Sequence, residues 1–237
     1  AVERVSLALE AGEVTALVGH HGAGKTTLIK LLLGMIRPDA GGSVHIGGAD
    51  PAGRRGAQAR STVGFLPESV AFHGAMTGRE LMAFYARLKG APLERNAELL
   101  ERVGITHAAQ RRVSTYSKGM CQRLGIAQAL IGEPRLLVFD EPTSGLDPAS
   151  RADVYAMIDT LRAAGATILV STHALDEVED RIDRAAIMHR GHLLAAGTLA
   201  ELRHGVAADV RLQLQLQPCT TARLLSVLPP EVRCIAR

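Results

Sequence analysis

Gly19-His20-His21-Gly22-Ala23-Gly24-Lys25-Thr26-Thr27 fits the phosphate-cradling pattern G-x-x-x-x-G-K-[ST] at every position. The apolar run Val14–Val18 before it predicts a buried strand, and residues 26–33 after it predict a helix. That strand–loop–helix order separates a working nucleotide loop from a chance run of glycines. Small residues let successive backbone N–H groups turn toward phosphate oxygens. A helix that starts near Lys25 aims its N-terminus at the same anion. Lys25 is placed to reach the β- and γ-phosphates, and the Thr26 hydroxyl to hold Mg²⁺. Residues 19–27 as a set (Gly19, His20, His21, Gly22, Ala23, Gly24, Lys25, Thr26, Thr27) are therefore the candidate nucleotide cradle. The loop fixes ATP or GTP as the ligand class and leaves open what the chemistry drives.

A second stretch supplies the other half of a hydrolytic site. Leu136-Leu137-Val138-Phe139 is a continuous apolar run of strand length, as expected in a sheet covered on both faces. Asp140 and Glu141 emerge where it ends, at the strand terminus where ligands sit in such sheets. One carboxylate there, Asp140, suits the Mg²⁺ shell. Its neighbour Glu141 suits the proton of an attacking water, because in-line hydrolysis needs both a metal and an acceptor.

Outward from these two stretches the chain alternates strands with helices, which predicts a mainly parallel sheet. Strands are expected at residues 5–9, 43–46, 62–66, 167–170, 185–188 and 193–196, the last two flanking Gly191 as a hairpin. Helical spacing runs through residues 77–88, 93–103 and 118–131. Asp147-Pro148 is a helix start, with Asp as N-cap and Pro in the first turn, and Gly165 closes that helix. Residues 76–131 read as a helical insertion. After Gly205 the style changes: residues 210–217 alternate strictly as a half-exposed strand, followed by a short helix at 222–228 and a strand at 232–235. The expected division is a nucleotide-binding domain over residues 1–205 and the start of a small α+β accessory domain over 206–237, cut at Arg237. A strand expected so near the first residue implies further chain upstream.

Composition excludes several classes. The net charge of +3 comes from 27 basic and 24 acidic residues that are dispersed, which argues against nucleic acid as a partner. Trp is absent and there are only 4 Phe and 3 Tyr, too few for a base-stacking surface. No uninterrupted apolar stretch is long enough for a membrane span. Cys121, Cys219 and Cys234 are far apart and form no metal-type pair, as in a reduced cytosolic setting. The nine histidines are scattered without the spacing that gathers three metal ligands.

Three more segments narrow the class: Tyr116-Ser117-Lys118-Gly119-Met120-Cys121-Gln122-Arg123, Ser144-Gly145-Leu146-Asp147 and Ser171-Thr172-His173. In this order, with the loop and the acidic strand, they resemble the ATP-binding-cassette (ABC) family. The resemblance covers residue 5 to about residue 205. It implies a P-loop NTPase core of the RecA-like kind, with a mainly parallel sheet, antiparallel N-terminal strands and a helical insertion. It implies ATP and Mg²⁺ as cofactors. Lys25, Glu141 and His173 become the catalytic set, with His173 similar to the switch histidine that contacts the γ-phosphate. Ser117 and Gly119 resemble the signature motif, which binds the γ-phosphate held by a second copy in a head-to-tail homodimer. A serine cap at an exposed helix N-terminus is physically suited to an anion. Asp147 resembles the aspartate that couples the two sites.

Departures from the family pattern matter. The usual signature is Leu-Ser-Gly-Gly-Gln; here it is Tyr116-Ser117-Lys118-Gly119-Met120. The usual Q-loop glutamine is Glu68, in Gly64-Phe65-Leu66-Pro67-Glu68, expected to bind the metal and report its occupancy. The family's adenine-stacking aromatic normally precedes Val5 and is not in this sequence.

The signature and the Leu66-Pro67-Glu68 stretch resemble ATPases of ABC-2 type exporters. Residues 64–72, 84–90 and 111–120 resemble the NosF family, ATPase subunits of transporters that mature nitrous oxide reductase. That resemblance implies a membrane permease as partner, a periplasmic copper-site assembly protein in the same complex, and a cytoplasmic place on the inner face of the membrane. Phe72, Met76, Phe84 and Tyr85 are the candidate permease contacts, over a cleft near Glu68. The nearest alternative is a drug or heme exporter. A soluble ABC ATPase acting on ribosomes or DNA usually carries two cassettes or a long coiled coil. GTPases need an Asn-Lys-x-Asp that is not found here.

Overall fold

The computed structural model describes residues 2–39 and 41–205. Six strands form one sheet in the order β2-β3-β4-β1-β5-β6. They are β1 (Val14–Val18), β2 (Val63–Leu66), β3 (Leu136–Phe139), β4 (Thr167–Thr172), β5 (Arg184–His189) and β6 (His192–Thr198). All neighbours pair in parallel except β5 and β6, the hairpin expected around Gly191. The helices are α1 (Lys25–Leu32), α2 (Gly56–Ser61), α3 (Gly78–Lys89), α4 (Asn96–Arg102), α5 (Lys118–Ala129), α6 (Pro148–Ala163) and α7 (Leu199–Gly205).

The pleat explains why the central strands are apolar throughout. Successive side chains point to opposite faces. Val14, Ala16 and Val18 of β1, Leu137 and Phe139 of β3, and Ile168 and Val170 of β4 face one hydrophobic cluster with residues of α3 to α6. Leu17, Leu136, Val138 and Leu169 face the other, with Ile29 of α1 and Ala23. Both faces are covered, so every residue of β1 and β3 is buried.

Residues 76–131 hold α3, α4 and α5 and contribute no strand to the sheet. Thr77 starts α3 with a capping box: its hydroxyl accepts from Glu80 N while Glu80 accepts from Thr77 N. Lys89 ends α3 and turns inward, donating to Val63 O at 3.1 Å and Ile131 O at 2.9 Å. Burial pushes the Lys89 ammonium below its ordinary value.

The structure corrects the N-terminal part of the expected fold. Residues 5–9 form no strand, although Val5, Leu7 and Leu9 pack against the core cluster of α1 and β1 as alternation predicts. Residues 43–46 form no strand either; Ile46 makes only an isolated bridge to Ala49. Alternation puts side chains on the core, but a ladder needs a neighbouring backbone, and neither segment finds one. The expected antiparallel N-terminal strands are thus absent among the described residues, and the antiparallel pairing lies in β5 and β6 instead. The short helix α2 was not expected, since Gly56-Ala57-Gln58-Ala59-Arg60-Ser61 shows no clear apolar stripe. The expected elements at 210–217, 222–228 and 232–235 and the accessory domain over 206–237 lie outside the described residues. No described helix is long and apolar enough to cross a membrane.

Candidate nucleotide site

Three adjacent strands, β3, β4 and β1, end side by side and carry the site at their carboxyl ends. From β1 the chain passes into the glycine-rich loop, anchored where Gly19 N donates to Thr172 O of β4 at 3.1 Å. Gly24 is the N-cap of α1 with a left-handed φ of 104°. A Cβ there would also meet Gly191 Cα at 3.3 Å, so the β5–β6 turn packs against the loop. The same turn donates from Gly191 N to Ala23 O at 2.8 Å. Lys25 opens α1, and Thr26, next on the helix, is exposed. His20, His21 and Gly22 are exposed on the rim of the loop, whereas Ala23 is buried beneath it.

The Lys25 side chain is 6% exposed, and its ammonium donates to Gly19 O at 2.5 Å. It also stands 3.0 Å from Glu141 Oε1. That separation is an ion-pair contact without hydrogen-bond geometry, so Glu141 Oε1 is buried with no hydrogen bond of its own among the described residues. Glu141 Oε2 lies 2.8 Å from His173 Nδ1. An ionised carboxylate can only accept, so this bond places a hydrogen on Nδ1. The His173 ring in turn sits 5.1 Å from the His21 ring, centroid to centroid. Asp140 is 2% exposed, one residue beyond β3. The structure therefore brings Lys25, Glu141, Asp140 and His173 to one place. Glu141 itself holds a φ of 46°, a region that L-residues adopt at a cost.

These residues fit a nucleotide with Mg²⁺. The loop is glycine-lined, a buried cation stands at its centre, and an acidic oxygen without a hydrogen bond is aimed beside it. Among the described residues no three His, Cys, Asp or Glu side chains gather as a metal site. The Thr26 hydroxyl and the Asp140 carboxylate are oxygen donors of the kind that suit Mg²⁺, which takes one or two protein ligands and completes its shell with phosphate and water.

The other expected residues lie apart from this group. Ser117 is the exposed N-cap of α5, its hydroxyl accepting from Met120 N at 3.2 Å. Gly119 is buried, and a Cβ there would strike Ser150 Oγ at 2.6 Å. Its lack of a side chain is thus required for packing of α5 on α6, a reason invisible in the motif. Asp147 caps α6, accepting from Ser150 Oγ at 2.6 Å and Ser150 N at 3.0 Å. Those bonds, the hydroxyl first, hold its carboxyl below the usual aspartate range. Glu68 is exposed just past β2 and shares a cleft with Lys118, Gln122 and Ser144. The structure gives it no contact with Thr26 or Asp140, although β2 runs beside β3 and Leu66 O accepts from Asp140 N at 2.9 Å.

Two residues passed over in the sequence join these parts. Gln122 is buried and donates from Nε2 to Pro142 O at 2.7 Å, tying α5 to the turn after Glu141. Tyr155 of α6 donates to Glu177 Oε2 at 2.7 Å, and burial pushes its hydroxyl up to about 12. It backs a polar cleft of about 270 Å³ lined by His21, Thr143, Arg151, His173 and Glu177. Each is a side chain whose partner is distant in sequence, so only the fold reveals the pairing.

Comparison with known proteins agrees with this geometry. The ABC transporter family model matches residues 2–144. The chain is 34% identical over 230 residues to the linearmycin resistance ATP-binding protein LnrL of Bacillus subtilis (strain 168), covering 95% of this chain and 73% of that one. It is 37% identical over 211 residues to the doxorubicin resistance ATP-binding protein DrrA of Mycobacterium tuberculosis (strain CDC 1551 / Oshkosh), covering 86% and 62%. A solved structure described as the ATP binding subunit of an ABC transporter superposes with a TM-score of 0.78 at 32% identity, covering 86% of each chain. Other curated relatives are longer still, and the chain spans 59% and 56% of two of them.

Proposed function

The chain belongs to the ABC transporter family, and from that premise we propose that it is an ATP-hydrolysing subunit that drives a membrane permease of the ABC-2 type. The observation that carries the proposal is Glu141, its carboxylate set between Lys25 and His173 beside Asp140 at the ends of adjacent strands. Bound ATP with Mg²⁺ supplies the phosphoryl group and the charge that activates it. The residues 19–27 hold the phosphates, with Lys25 at the β- and γ-positions. Thr26 and Asp140 would hold the metal. Glu141 would take the proton of the attacking water, and His173 fixes one of the carboxylate's oxygens through its Nδ1. Glu68, at the next strand end, would join the metal's outer surroundings. Ser117 and Gly119 of a second copy close the site from the opposite side, so that the working unit is a head-to-tail homodimer with Asp147 at the junction. The test is phosphate release from ATP beside direct nucleotide binding. Glu141→Gln is expected to abolish release and keep binding; release that persists would remove Glu141 from the base role.

The permease is proposed to dock on the exposed side of α3. Of the four expected contacts, Phe72, Met76 and Tyr85 are half-buried against the core, and Phe84 is 46% exposed. Phe84 packs edge-on to Tyr85, and Leu88, one turn later, is 68% exposed. The docking surface is therefore Phe84 and Leu88, with Tyr85 and Phe72 as their support. Such a partner places the subunit on the cytoplasmic face of the membrane.

For the process served, the stretches 64–72, 84–90 and 111–120 favour nitrous oxide reductase maturation, alongside a periplasmic copper-site assembly protein. The second reading is drug export, favoured by the relatives named for linearmycin and doxorubicin resistance. Deleting the gene separates them. Nitrous oxide reductase recovered without its copper supports the first; unchanged reductase with raised drug sensitivity supports the second.

A further inference from the structure

Ser171 occupies a position in β4 that the sheet would be expected to fill with an aliphatic side chain. It is 0% exposed, with Val170 before it and Thr172 after it, and it pairs in register with Leu17 of β1. A hydroxyl buried there must be satisfied within the protein. It is satisfied twice, both times by the end of β3. Ser171 Oγ lies 2.6 Å from Asp140 Oδ1 and 2.8 Å from Glu141 N. The directions are fixed by chemistry: the Glu141 N–H can only donate, so Ser171 accepts there and gives its one hydrogen to Asp140.

Two consequences follow for the chemistry at the strand end. The Asp140 carboxylate has Oδ1 engaged by Ser171, which restricts rotation of the group. Glu141 has its N–H held at a backbone conformation, φ 46°, that a glutamate would not keep unaided. One hydroxyl thus fixes the relative placement of the two acidic residues.

We infer that Ser171 is a positioning residue for ATP hydrolysis, acting through Asp140 and Glu141 without touching nucleotide. The inference rests on the proposed roles of those two carboxylates. Partners that orient metal ligands typically change metal affinity or activity by 10–100-fold when removed, and Ser171 stands in that relation to Asp140.

The experiment compares full-length parent, Ser171→Ala and Ser171→Thr. It reads steady-state ATP hydrolysis against ATP and against Mg²⁺, ADP binding without Mg²⁺, and thermal stability. Ser171→Ala is expected to lower kcat about tenfold or more and to raise the half-saturating Mg²⁺ concentration several-fold. ADP binding without Mg²⁺ should stay within twofold. Ser171→Thr keeps the hydroxyl and should restore most of kcat and the Mg²⁺ response. A Ser171→Ala protein that loses thermal stability but keeps kcat and Mg²⁺ dependence would show a structural serine only, and overturn the inference. So would a Ser171→Thr protein as impaired as Ser171→Ala. Glu141→Gln measured in parallel keeps the two readings apart: if it hydrolyses ATP like the parent, the assignment of the site has failed, whatever Ser171 does.

Discussion

The strand-end cluster and the start of α5 carry the same kind of residue but treat it in opposite ways. Lys25, Asp140, Glu141 and Ser171 are buried, and their polar atoms meet one another. Ser117, Lys118 and Asp147 are exposed, and among the described residues the hydroxyl of Ser117 and the carboxylate of Asp147 bond only within the first turns of their own helices. Burial makes the first group rigid and sets its electrostatics in low dielectric. Exposure leaves the second group without a ligand-side wall. The difference supports the proposed division of the site, in which the metal and water half is built internally and the other half is presented outward.

The sharpest attack on the buried half is Glu141→Gln, which should lower turnover by about 10²–10⁴-fold, the range of a general base. A smaller loss, of about 10²–10³-fold, is expected for Ser117→Arg, which removes a phosphate-binding group from the exposed half. Mixing that variant with Lys25→Ala breaks or secures the comparison. If the halves meet across two copies, a mixed pair holds one intact site and activity returns. If both halves served the same chain, the mixture would stay inactive. At the seam between the regions, Glu68→Gln should shift the Mg²⁺ dependence of hydrolysis by a few-fold; an unchanged titration would leave Glu68 out of the metal's surroundings. The smallest effect is expected at the exposed cap. The Asp147 carboxyl is held below its ordinary 3.8, so its stabilisation is complete above that value and lost as pH falls through the lower folded value. The melting temperatures of parent and Asp147→Ala should therefore differ slightly at neutral pH and converge only in strong acid.

What was legible in the sequence was local. The glycine loop, the acidic end of β3 and the Asp147-Pro148 start of α6 each declare themselves within a few residues, and each forms as read. What depends on a remote neighbour was not legible. Residues 5–9 alternate like a strand but find no strand beside them. Gly119 reads as a ligand contact, and its close approach to Ser150, on another helix, is a packing constraint that the motif does not show. Ser171 is a buried hydroxyl near the end of β4, and its two partners stand 31 and 30 residues away in the chain.

Lys89 gives the fold a mechanical property. Its ammonium bridges the last turn of α3 to the first residue of β2 and to the backbone just past α5. Two charge-assisted bonds join elements that would otherwise slide on apolar contacts. A pull on the outer face of α3, at Phe84 and Leu88, is thus transmitted like load through a tie rod. The bonds run to the strand that leads to Glu68 and to the backbone that follows the helix begun at Ser117, so both are tied to the end of α3.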